Sequence, residues 1–278
     1  MNHCLVFGAR GHLARTRIIP VLNNRNVPYT GISRSSVSNV KHLEHVPDIV
    51  AYMAIPTHNF CENVQPYMDQ VNALYVLEKP HGHSMEDFNR IRTFVSENNL
   101  SVLYNDHYLG KKALEDVKIP ETIQNIKIVL HEDDDMNERV NYFDTVGIVG
   151  DMYQSHCVII IACILSKYTG KSRKEILKEI QHIKPEIRSV SKSCLYTGYA
   201  PTECKVFMKY GDIDIEADIA KMVSKKKGFY VNDTFYDLNE GPCPYEHVFE
   251  QIENRRFDFF LDEEEVKCLW NHTSIKEC

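Results

Sequence analysis

The sequence predicts an α/β domain followed by an α+β domain, and three observations carry that expectation. Short apolar runs alternate with helical periodicity through residues 1–110, a glycine-bearing turn directly follows the first run, and beyond Lys112 the texture changes to segments rich in β-branched and aromatic residues. Strands alternating with helices build a parallel sheet covered on both faces, the Rossmann arrangement, whereas strands in succession build a largely antiparallel sheet.

The elements follow in order. Residues 4–7 read as a strand, 8–14 (Gly-Ala-Arg-Gly-His-Leu-Ala) as a turn and 15–22 as a helix. A second strand is expected at 27–33. A third apolar segment, 49–55, stops at Pro56, which has no N–H for a ladder. Residues 60–71 read as a helix, and 74–77 as a strand ending at Glu78-Lys79-Pro80. Ser84 caps the next helix, with Asp87 three residues on and Phe88, Ile91 and Val95 along one face. Residues 100–104 form another strand. Past the change in texture, 123–130 is strand-like, 149–165 a buried helix and 174–183 an amphipathic one. Segments 187–190, 205–209 and 213–219 suit an antiparallel sheet, and helices at 244–252 and 263–270 close the chain. The division expected is 1–110 and 111–278.

Composition narrows the class. The 278 residues are 43% hydrophobic and 26% charged, ordinary for a globular chain of two modest domains. A net charge of −7 gives no reason to expect a nucleic-acid partner. The 9 cysteines form no C-x-x-C pair and no zinc-like spacing, so free thiols, a reducing compartment and no metal are expected. The run at 4–7 is too short for a leader peptide, and the longest apolar run, 157–165, falls far below the ~20 residues that cross a bilayer. No membrane and a cytoplasmic location are the expectation.

Five segments carry chemistry. Gly8-x-x-Gly11-x-x-Ala14 straight after a strand suits close approach of a dinucleotide pyrophosphate, although such turns also serve ordinary strand–helix connections. The second strand ends in Gly31-Ile32-Ser33-Arg34-Ser35, with no acid for ribose hydroxyls. A forked guanidinium at Arg34 suits a 2′-phosphate and hence NADP; a solvated loop arginine is the alternative. Glu78-Lys79-Pro80 places a lysine and a turn-forming proline at a strand end, where a surface pair is the plainer reading. Asp106-His107-Tyr108-Leu109-Gly110-Lys111 gathers an acid, an imidazole, a phenol and a lysine, three of them donors to phosphate. Tyr142-Phe143-Asp144-x-x-Gly147 leads to Asp151-x-x-x-x-His156 at the head of the apolar helix, where a histidine is often a core residue.

Taken together and in this order, these segments resemble the glucose-6-phosphate dehydrogenase family, over residues 5–165 and again faintly at 245–270. The string Asp106–Lys111 is its most specific signature and matches at every position. The resemblance implies NADP-dependent oxidation of a sugar 6-phosphate at C1 to the lactone. It implies His156 as general base and Asp106 as its orienting acid. His107, Tyr108 and Lys111 would grip the phosphate, and Glu132 and Asp151 would take sugar hydroxyls. Lys79 would touch substrate and cofactor, while Gly8, Arg10, Gly11, His12, Leu13, Arg34 and Pro56 would hold the cofactor. A homodimer is implied as well. The chain departs from the family pattern at His12, where an acid is usual, at Gly150, where arginine is common, and at Thr57, which replaces a second proline. It is shorter than typical members. A further substrate lysine of the family has no evident counterpart: Lys221 or one of Lys225, Lys226 and Lys227 can substitute, but a solvated basic loop is the expected reading there. Two alternatives remain open, a binding-only relative and a Rossmann oxidoreductase acting on another, non-phosphorylated sugar.

Overall fold

A computed structural model of the chain describes residues 1–33 and 40–273, so Arg34 lies outside the described residues. Two compact units emerge, Met1–His107 with Cys243–Glu263, and Tyr108–Pro242 with the remainder from Glu264. In chain order the helices are α1 (Ile19–Asn24), α2 (Phe60–Val64), α3 (Met85–Glu97), α4 (Lys112–Asp116), α5 (Val140–Ile148), α6 (Val158–Thr169), α7 (Arg173–Ile180), α8 (Pro244–Glu253) and α9 (Glu263–His272).

The first unit is built on a parallel sheet of β1 (His3–Phe7), β2 (Tyr29–Ile32), β3 (Ile49–Met53), β4 (Ala73–Glu78) and β5 (Ser101–Asn105), in the order β2-β1-β3-β4-β5. β1 pairs with β2 on one side and β3 on the other. The strand order therefore reverses at β1, the place where open α/β sheets form a crevice. Ser84 caps α3 as its spacing predicts, accepting from the Asp87 amide at 3.2 Å. The helix expected over 60–71 is shorter: α2 ends at Val64 and turns follow, because Pro66 cannot donate the next helical bond.

A second correction concerns the domain division. Cys243–Glu263 returns to the first unit. Tyr245, Val248, Phe249 and Ile252 of α8 share one buried cluster with Val50, Tyr52, Val76 and Leu103 of the sheet. Each such side chain contributes about 1.5–3 kcal/mol on burial, so this helix completes the core of the first unit.

The second unit is built on a sheet of β6 (Asn125–Glu132), β7 (Glu186–Ser191), β8 (Glu203–Tyr210), β9 (Ile213–Lys221), β10 (Lys226–Val231) and β11 (Thr234–Asp237), ordered β11-β10-β6-β9-β8-β7. Its pairings are antiparallel except β6 with β9. That exception matters, because parallel register sets Glu132 opposite Lys221 at the strand ends.

Val140–Thr169 is helical almost throughout. By length and composition it is able to cross a membrane, but 94% of its apolar window is buried inside the protein. Two features interrupt it. Gly147 takes φ 66° and ψ 171°, a conformation open essentially to glycine alone. Val149–Cys157 then adopts the wider π-type winding, with the Val158 amide bonding back to the Tyr153 carbonyl.

Candidate active site

In the first unit the glycine turn follows β1 at the point where strand order reverses. Gly8 has φ +75°, and a β-carbon built there would lie 2.4 Å from the Ala54 carbonyl oxygen. Only glycine fits, and the turn closes through Gly8 N–H to Ile32 O at 2.9 Å and Gly11 N–H to Gly8 O at 2.7 Å. Arg10, Gly11 and His12 are exposed around this turn, and Leu13 is half-buried. Such a cradle, with bare backbone at a strand–helix junction, fits a dinucleotide.

Pro56 follows β3, and the next residue, Thr57, has a defined task. Its hydroxyl accepts from Gly82 N–H at 2.9 Å, tying the segment after β3 to the turn after β4. That turn contains a cis Lys79–Pro80 peptide. The Lys79 amide donates to Asn105 O at 3.1 Å. Beneath it, Glu78 is buried and accepts from the Tyr52 hydroxyl and from Asn105 Nδ2 at 2.8 Å. Burial pushes the Glu78 carboxyl up to about 7, against the pull of those two donors. Asp106 is fully buried at the end of the unit, and the His107 ring stacks on Tyr245 with centroids 5.2 Å apart.

In the second unit the Tyr108 ring stacks on His156 at 3.9 Å, and both are buried. Lys111 Nζ sits 5.6 Å from the Tyr108 ring centroid and donates to Leu238 O at 2.8 Å. Tyr108, Lys111 and His156 are thus brought together within the second unit. In an α-helix, residues five apart point about 140° apart. The π-type winding brings Asp151 and His156 back towards one side.

The expected solvated basic loop holds for Lys225 and Lys226, which are exposed, but not for Lys221. Lys221 is 3% exposed and its ammonium bonds Glu132, lies 3.2 Å from Asp151 Oδ2 and 3.8 Å from Asp134 Oδ2. Lys227 bonds the other oxygen of Glu132, and the Tyr142 hydroxyl donates to Asp151 Oδ1 at 3.1 Å. Burial alone would raise the Glu132 carboxyl; the two ammonium groups outweigh it and hold the acid below the ordinary carboxylate range. Burial would likewise lower Lys221, but Asp151 and Glu132 raise it above the ordinary lysine value. Lys225 and Lys226 are not in this cluster as described.

Residues 111–202 match the family model described as the glucose-6-phosphate dehydrogenase C-terminal domain. A glucose-6-phosphate 1-dehydrogenase of Helicobacter pylori is 26% identical over 170 residues, 54% of this chain and 39% of that protein. A bifunctional glucose-6-phosphate 1-dehydrogenase/6-phosphogluconolactonase of Plasmodium falciparum is 31% identical over 172 residues, 51% of this chain and 19% of that protein.

The chain is similar to glucose-6-phosphate dehydrogenases over these residues.

The match spans about two fifths of the Helicobacter relative's length. Among solved structures, a glucose-6-phosphate dehydrogenase in complex with glucose 6-phosphate superposes with TM-score 0.68 at 15% identity, over 98% of this chain and 90% of that one. A D-galactose-1-dehydrogenase from Rhizobium etli superposes with TM-score 0.62 at 12% identity, over 97% and 93%. At these identities the superpositions establish the shared fold. Lys221 is the one buried lysine among the described residues.

Proposed function

We propose that this chain oxidises glucose 6-phosphate, or a similar sugar 6-phosphate, at C1 to the lactone with NADP as acceptor. The observation that supports this reading best is the buried cluster of Glu132, Asp151, Lys221 and Lys227 on the same unit as His156. The two carboxylates of this cluster are good acceptors for sugar hydroxyls. The nearby ammonium groups, with Lys111, offer donors for a phosphate dianion.

When bound, the nicotinamide dinucleotide supplies the hydride acceptor. The chain's own residues do the rest. His156 takes the proton from the C1 hydroxyl, held flat by its stack on Tyr108. Asp106 fixes the imidazole tautomer and offsets the positive charge the ring acquires. His107, Tyr108 and Lys111 hold the 6-phosphate. Glu132 and Asp151 orient the ring so that C1 faces the acceptor. Gly8, Arg10, Gly11, His12, Leu13 and Pro56 cradle the dinucleotide, Arg34 reads its 2′-phosphate and Lys79 meets both ligands. The reading includes a cytoplasmic homodimer.

The test is NADPH absorbance on mixing the protein with NADP⁺ and glucose 6-phosphate, with NAD⁺ and unphosphorylated glucose as controls. A rise only with NADP⁺ and the phosphate is expected. Replacing His156 with alanine should lower kcat by about 10²–10⁴-fold with NADP affinity retained. Equal turnover in that variant would remove His156 from the mechanism.

A further inference from the structure

Alternate residues of a strand share one face of its sheet. On β3, β4 and β5 one face carries Tyr52, then Val76 and Glu78, then Leu103 and Asn105, by their register. Tyr52, Val76 and Leu103 belong to the apolar cluster completed by α8. The next positions on that stripe ought to be apolar. Instead they hold an acid and an amide, Glu78 at 5% exposure and Asn105 at 0%. Burying such groups is unfavourable unless they are hydrogen-bonded, and here they bond each other. Asn105 Nδ2 donates to Glu78 at 2.8 Å and reaches the Tyr52 hydroxyl at 3.1 Å, and that hydroxyl donates to Glu78.

All three residues stand where function begins. Tyr52 precedes the segment containing Pro56, Glu78 immediately precedes Lys79-Pro80, and Asn105 immediately precedes Asp106. The Asn105 carbonyl also accepts from the Lys79 amide at 3.1 Å and lies 3.1 Å from His81 Nε2. A core of leucines would fill the same space without directional bonds.

We propose that Glu78 is a positioning residue: through Tyr52 and Asn105 its carboxyl clasps the ends of three strands and fixes Lys79 and Asp106 relative to one another. This rests on the dehydrogenase reading for its kinetic consequence, not for its structural one. A triple variant, Tyr52→Phe with Glu78→Leu and Asn105→Leu, removes every polar member at once and leaves none orphaned, so the fold should lose little.

Three readouts decide. The melting temperature should equal or exceed that of the wild type, while the Lys79 and Gly82 amides exchange hydrogen at least about ten-fold faster. With glucose 6-phosphate and NADP⁺, kcat should fall at least about ten-fold and KM for the sugar phosphate should change less, as expected when geometry rather than binding is lost. Glu78→Gln, which keeps an acceptor for both donors, should recover most of the exchange protection and kcat. Unchanged exchange at Lys79 and Gly82 overturns the clasp whatever the kinetics. Faster exchange in a protein whose wild type turns over no sugar phosphate sustains the clasp and sinks the dehydrogenase reading alone. Should the triple variant not fold, Glu78→Asp, whose carboxyl is withdrawn by one methylene, must lose kcat where Glu78→Gln keeps it; equal effects of the two overturn the proposal.

Discussion

Lys221 shows at residue scale how burial changes the meaning of a charge. Removing it leaves Glu132 and Asp151 buried beside one remaining ammonium, and breaking such a set costs about 3–5 kcal/mol. Lys221→Met should therefore lower the urea midpoint markedly and, on the proposed dehydrogenase reading, raise KM for the sugar phosphate, whereas Lys225→Met should do neither. The pH dependence has a definite sign. Glu132 titrates below its ordinary value, so its contribution is complete above the unfolded pKa and is lost as pH falls through the depressed one. Lys221 titrates above its ordinary value, so its contribution is complete below the unfolded pKa and is lost as pH rises through the raised one. Urea midpoints of the wild type minus those of Lys221→Met should be flat between about pH 5 and 10, between the two ordinary values. None of this was legible locally. Lys221 precedes a run of three lysines, which reads as a solvated loop, and its partners lie far away in the sequence. Only the parallel pairing of β6 with β9 puts Glu132 and Lys221 together.

At the scale of elements, the glycine turn, the alternation of strand and helix and the capped α3 were all readable, because each rests on local spacing. The π-type winding of Val149–Cys157 was not, since the same residues have good α-helical periodicity. Nor was β10, whose lysines mask a strand that pairs with both β6 and β11. The last helix offers a test of its own. His272 of α9 is buried, lies 3.0 Å from the Tyr153 hydroxyl and sits 3.1 Å from Ile180 O. Burial lowers its pKa to about 4. The unfolded chain then binds more protons than the native one between about pH 4 and 6.5, and stability falls as pH drops through that window. His272→Gln should flatten that acid limb by on the order of 2–3 kcal/mol, measured by urea denaturation at each pH. An unchanged limb would assign the slope elsewhere.

For the whole molecule, the fold class and the likeness to glucose-6-phosphate dehydrogenases were legible, while the path of the chain was not. The periodicity of 244–252 gives an apolar face but does not say which core receives it. The answer, the core beneath β3, β4 and β5, makes residues 1–110 an incomplete unit. A fragment ending at residue 110 should show little cooperative melting by circular dichroism, and joining residues 243–263 to it through a flexible linker should restore a sharp transition. A cooperative 1–110 fragment would show that α8 is dispensable.

The same returning helix has a consequence in time. A ribosome adds about 5–20 residues per second. After β5 is made, over 150 more residues must be synthesised before Phe260 and Leu261 follow α8 into place. For roughly ten to thirty seconds at that rate, the nascent sheet carries Val50, Tyr52, Val76 and Leu103 without their cover. During each round of synthesis that face is a surface for a chaperone to shield, and the later unit can be collapsing while the earlier one still waits.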